Sequence, residues 1–158
     1  MPRVYTVSFK AVTISAVQDL ISAKGSSGKT CRVRRIWLYM NDTTLQTAQG
    51  LKLNLKYGNA TVTLGSGGST PTPRPVDAGD AAASFTAHAN DTSQATTSGS
   101  FVDITPVGGH NYAGFDYTFP KGEEPVFGLN EGVIFELNST VTGTCNFSGG
   151  MTIEETGS

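Results

Sequence analysis

Charge is scarce in this chain. Asp, Glu, Lys and Arg supply 15% of its 158 residues, well below the quarter usual in soluble domains. The charge nearly cancels, with 11 basic against 13 acidic side chains and a formal net charge of −2. A protein that grips nucleic acid neutralises phosphates with a basic excess, so nucleic acid is not an expected partner. There is no run of about 18 apolar residues of the kind that crosses a bilayer, and no basic-then-apolar leader at the N-terminus. Neither a membrane partner nor a secretory route is expected. Cysteine is limited to Cys31 and Cys145, far apart and outside any CxxC or Cys/His spacing, which argues against zinc. Two reduced core thiols are the expected reading, because Cys is among the most buried residue types; a bridge between sheets is the alternative.

Recognisable chemistry is missing too. His88 and His110 lie among Gly, Ala and Asn, without HxH or HxxxH spacing, so both are expected in solvent and no metal is expected. No Gly-x-Ser-x-Gly elbow occurs, and Gly65-Ser66-Gly67-Gly68 lacks the Lys-Ser/Thr that completes a phosphate loop. Glu123, Glu124, Glu131, Glu136, Glu154 and Glu155 are candidate acids for a glycosidase, which needs two carboxylates across a cleft. Their places in turns and on polar strand faces predict solvated charge instead. The five Asn-x-Ser/Thr triplets, at Asn41, Asn59, Asn90, Asn138 and Asn146, read as coincidence in a Ser/Thr-rich chain. No enzyme and no cofactor are expected.

What is abundant is period-two alternation between Gly- and Pro-rich turns. Tyr5, Val7, Phe9 and Ala11 alternate with Thr6, Ser8 and Lys10, and residues 17–23 read as a second short strand. Leu51, Leu53, Leu55 and Tyr57 alternate with Lys52, Asn54 and Lys56, predicting a half-buried strand with a solvated basic face. From there the chain either returns as a hairpin through Ala60, Val62 and Leu64 or ends in the loop 65–69. Residues 84–88 read weakly as strand, 89–100 as a polar loop, 101–105 as a brief strand and 106–109 as a turn. Ala113, Phe115, Tyr117 and Phe119 alternate again. The strands at 132–138 and 144–155 each carry one apolar face, and read as a closing hairpin that a second sheet must cover. The total is eight to ten antiparallel strands and no substantial helix. A single-domain, all-β jelly-roll β-sandwich is expected over residues 1–158, because long crossing loops separate the middle strands.

Two stretches depart from simple alternation. In 31–40, Ile36, Leu38 and Met40 form one apolar row, while Cys31, Val33, Trp37 and Tyr39 form another. Either a bulge near Arg34-Arg35 shifts the register halfway, or one face packs on the core and the other lies under a loop or a neighbouring molecule, and partial cover is the reading expected here. In 69–80, Pro71, Pro73 and Pro75 remove amide donors at alternate positions, predicting a stiff surface arm that joins no ladder.

The opening Tyr5-Thr-Val-Ser-Phe-Lys-Ala-Val-Thr-Ile with Gln18-Asp19-Leu20, the loop Gly67-Gly-Ser-Thr-Pro-Thr-Pro-Arg-Pro with Gly79-Asp80-Ala-Ala-Ala, and Gly114-Phe-Asp-Tyr-Thr-Phe-Pro before Glu124-Pro-Val form a further pattern. In these features, spread over nearly the whole chain, the sequence resembles the jelly-roll decoration (cement) proteins on the heads of tailed bacteriophages. The likeness is one of pattern and ordering, without a diagnostic motif. It implies a structural virion protein on the outer capsid surface, made in the host bacterial cytoplasm, whose partners are the major capsid protein and itself, as a trimer or dimer. The contacts between molecules are then expected at Tyr5 and Val7 of the first strand, at Arg35, Trp37 and Tyr39, and at Pro71, Pro73, Arg74 and Pro75 of the arm. The alternative is a carbohydrate- or receptor-binding module with Trp37, Tyr57, Tyr112 and Tyr117 as its platform.

Overall fold

In the computed structural model, which describes residues 1–157, the chain runs through β1 (Arg3–Thr13), β2 (Gln18–Gly25), β3 (Thr30–Met40), β4 (Gly50–Gly58), β5 (Val62–Thr63), β6 (Arg74–Pro75), β7 (Phe85–Asp91), β8 (Thr96–Thr97), β9 (Phe101–His110), β10 (Phe115–Thr118), β11 (Val126–Phe127), β12 (Gly132–Leu137) and β13 (Asn146–Thr156). A front sheet has the order β10-β3-β13-β1-β6, with β11 also on β3, and a back sheet has the order β7-β2-β12-β4-β9. The pairs β1·β13, β2·β12, β3·β10 and β4·β9 are nested antiparallel couples that fall alternately in front and back. A ribbon of nested couples wound so that successive couples change sheet is a jelly roll, and this is the fold of the chain.

The expected closing hairpin does not form. Strand β12 lies between β2 and β4 in the back sheet, and β13 between β1 and β3 in the front sheet; residues 138–145 cross from one to the other. Alternation reports which face of a strand is apolar and is silent about its neighbour. Val133, Phe135 and Leu137 therefore do face Phe147, Met151 and Ile153, across the core rather than along a ladder.

The core lies between the sheets. Tyr5, Val7, Phe9, Ile36, Leu38, Phe147, Met151 and Ile153 fill it from the front, and Ile21, Ala23, Leu51, Leu53, Leu55, Val133 and Phe135 from the back. Cys31 and Cys145 are both buried and unbridged.

Of the two readings of the 31–40 strand, the bulge is the one realised. Thr152 stands opposite Arg35 and Ile153 opposite Val33, so Arg34 is the extra residue. That single insertion sends Cys31 and Val33 inward before it and Ile36 and Leu38 inward after it, and turns Arg35, Trp37 and Tyr39 outward.

Residues 59–100 form one excursion that adds β6 to the β1 edge and β7 to the β2 edge, while β5 and β8 pair as a separate two-stranded ribbon. The proline arm thus joins a ladder after all. Tyr5 faces Pro75, Thr6 faces Arg74, and the Val76 amide donates to the Val4 carbonyl at 2.8 Å. Pro75 takes the position without a hydrogen bond, so its nitrogen, which lacks a proton, points away from β1 while the Val76 amide beside it points toward β1. The segment 106–109 is likewise no turn: Pro106 lies within β9, opposite Asn54. Strand β9 is the outermost strand of the back sheet, where a missing donor breaks no ladder.

Candidate functional site

Strand β3 brings Arg35, Trp37 and Tyr39 onto the outer face of the front sheet, and β10 places Asp116 directly opposite Trp37. Arg35 Nε donates to Asp116 Oδ1 at 2.8 Å, its second nitrogen donates to Oδ2, and the Tyr39 hydroxyl donates to the same Oδ2 at 2.9 Å. The Arg35 guanidinium holds the Asp116 carboxyl below the usual carboxylate range, and the carboxylate in turn raises Arg35 and the Tyr39 phenol. The guanidinium also lies 5.1 Å from the centre of the Trp37 ring, within cation–π range. On the next strand sits Gly150, opposite Trp37, and a Cβ there would meet ring carbons at 2.6 and 2.9 Å. The indole thus lies flat against β13 with arginine over it. Tyr39 is 40% exposed. The rest of this face is polar and small, with Thr6, Ser8, Ser148 and Thr152 on the neighbouring strands.

The other expected contact residues separate into two groups. Tyr5 and Val7 are core residues, 0% and 1% exposed, because the apolar row of β1 points inward; their side chains are not on a surface. Pro71, Pro73 and Pro75 are half-buried and Arg74 exposed, along the chain's own β1. The aromatic platform of the alternative reading is not assembled. Tyr57 packs against the core from β4, and Tyr112 is bound through its hydroxyl, which accepts from the Gln46 amide at 2.7 Å. Asp116, which organises the cluster, escaped sequence reasoning: only the pairing of β10 with β3 brings it to Arg35.

Two of the acids do share a cleft: Glu124 and Glu154, 8% and 9% exposed and so not the solvated charges expected, line a cavity of about 300 Å³ together with Arg32, Arg34 and Lys121. Glu124 and Glu154 both bind Arg34, Glu155 binds Lys29 at 2.8 Å and accepts from the Ser84 amide at 2.8 Å, and Glu131 accepts from the Gly128 amide at 2.7 Å. Glu136 was expected in solvent and is 4% exposed. It pairs with Lys56 and accepts from Asn54 at 3.0 Å, Asn138 at 2.9 Å and Gln94 at 3.2 Å. The expected solvated face of β4 is thus partly covered, by the β5–β8 ribbon that packs Val62 and Ala95 on Ile134. Asp19 lies opposite Glu136 and accepts from the Ala95 amide at 2.7 Å. Burial and, to a lesser degree, Glu136 push Asp19 up to about 6, against the pull of the Ala95 amide and Lys56. His88, also expected in solvent, sits in β7 with Nδ1 3.0 Å from the Asp91 carboxylate. Among the described residues no group of three or more His, Cys, Asp or Glu side chains could hold a metal ion.

Compared with protein-family models, with curated proteins and with solved structures, the chain finds no match.

Proposed function

We propose that this chain is a non-enzymatic structural protein of a virion, a decoration or cement protein that binds the outside of a phage head. Its partners are the major capsid protein and further copies of itself, as a dimer or trimer, and its working surface is the Arg35–Trp37–Tyr39–Asp116 face. One observation carries the choice of surface: an arginine, a tryptophan and a tyrosine stand together on an uncovered sheet face, already locked in place by Asp116. Interfaces draw most of their energy from such residues, and groups ordered in advance lose less freedom on binding. Strand addition is disfavoured at two of the four sheet edges, where β6 and β9 carry proline. A protein that binds an assembled shell and not its dispersed subunits stabilises the shell by mass action at every site.

The test is co-expression with the major capsid protein of the phage genome that carries its gene, followed by sedimentation and electron microscopy of the shells. Decorated shells are expected, with occupancy reduced about tenfold or more by Arg35→Ala. Bare shells together with a chain that stays monomeric at high concentration would sink the proposal.

A further inference from the structure

A second surface on the opposite flank has the makings of a ligand site. Where β1 ends, β2 begins and β7 ends, a cavity of about 310 Å³ is lined by Val12, Thr13, Gln18, Asn90, Thr92 and the segment 67–69. Its size is at the lower end of small-molecule sites, roughly 300–1,000 Å³. Gln18 and Asn90 are 5% and 8% exposed, and Gln18 Nε2 donates to Asn90 Oδ1 at 3.2 Å. A single bond between two primary amides uses one donor group and one acceptor. Among the described residues, Gln18 Oε1 and Asn90 Nδ2 have no other hydrogen-bond partner, and neither atom is sealed from solvent.

The walls are rigid. Ser69 and Ala89 exchange two backbone hydrogen bonds, at 2.9 and 2.8 Å, and the Gly68 amide donates to Asp91 at 3.2 Å. Gly67, at φ 90°, packs so closely that a Cβ would collide with Thr92 Oγ1. Asn90 itself has φ 57°, a left-handed backbone that Asn tolerates better than most residues and that aims its amide at Gln18.

The lining specifies the ligand's chemistry. No charged side chain lines the cavity, so an ion finds no counter-charge; carbon atoms, those of Val12 among them, make up most of the wall and suit the CH face of a sugar ring. What remains is a buried acceptor and a buried donor side by side, with Ser69 and Thr92 in the same lining. A sugar hydroxyl both donates and accepts, so two adjacent hydroxyls match this pair. We propose that the cleft binds a neutral sugar through vicinal hydroxyls, one accepting from Asn90 Nδ2 and its neighbour donating to Gln18 Oε1.

The test is NMR titration of the isotopically labelled full chain with D-glucose, D-galactose, D-mannose and N-acetyl-D-glucosamine. At least one is expected to produce saturable millimolar-range shifts at the Gln18 and Asn90 side-chain amides and at the Gly67 and Gly68 backbone amides. Asn90→Gly keeps the left-handed backbone and deletes the amide, and is expected to weaken binding about tenfold; Gln18→Leu tests the other half. Sodium sulfate is expected to produce no saturable shift. The proposal is overturned if none of the four sugars gives saturable shifts, if both folded variants bind as the parent does, or if sulfate binds equally well. Capsid binding is assigned to a different face, so its presence or absence does not bear on this result.

Discussion

The indole of Trp37 rests on Gly150, the residue directly opposite it on the neighbouring strand. Glycine within a strand ordinarily weakens it; here the missing side chain makes room for the ring. Gly150→Ala places a methyl 2.6 Å from the indole and close to the Val7 carbonyl. Forced repacking of this kind destabilises by about 1–3 kcal/mol. Urea denaturation followed by Trp37 fluorescence checks it, and the folded-state emission itself is expected to change.

Asp19 couples stability to pH. Its folded value of about 6 lies above the ordinary 3.8, so the folded state holds the proton more tightly than the unfolded chain does. The stabilisation from that proton is complete below about pH 4 and lost as pH rises through about 6, on the order of 3 kcal/mol at most. Asp19→Asn keeps an acceptor for the Ala95 amide and cannot ionise. Denaturation curves from pH 4 to 7.5 are expected to show the variant gaining on the parent as pH rises; parallel curves would refute the assignment.

Lys56 compensates Glu136 beneath the β5–β8 ribbon, where their side chains are 13% and 5% exposed. Removing one partner of a buried pair leaves a charge unmatched and destabilises by about 3–5 kcal/mol. Lys56→Met is expected to reach that range. Adding Glu136→Gln is expected to recover part of the loss, so that the double variant is less destabilised than the sum of the singles, as read by urea midpoints.

Pro75 lies in β6 at the outer edge of the front sheet, and Pro71 and Pro73 stand in the segment that leads into it. Replacing all three by threonine restores amide donors on that edge, and an edge with free donors pairs with other strands. Light scattering is expected to report larger, concentration-dependent species than the parent forms.

Both thiols are shielded. Burial, with the nearby Glu155 charge, pushes Cys31 up to about 12, and burial raises Cys145. A thiol reagent at pH 8 is expected to leave the folded chain almost untouched and to titrate two thiols in denaturant.

Local composition was enough to determine the class of the fold and most of its core. The alternating rows Tyr5-Val7-Phe9, Leu51-Leu53-Leu55 and Val133-Phe135-Leu137 are buried as their spacing demands, because which side of a strand faces inward is a property of two-residue periodicity. The double apolar row in 31–40 even announced a bulge as one of two options. What tertiary structure alone decided is adjacency. Strands β12 and β13 are neighbours in sequence and members of opposite sheets; Asp116 reaches Arg35 from far along the chain; and Asn54, Lys56 and Glu136 lose their solvent to a ribbon that joins Val62, offered by the sequence only as a possible return to β4, with residues 96–97, which read as loop. Pairing and cover are long-range events, set by how the whole ribbon winds, and no short window of residues carries that information.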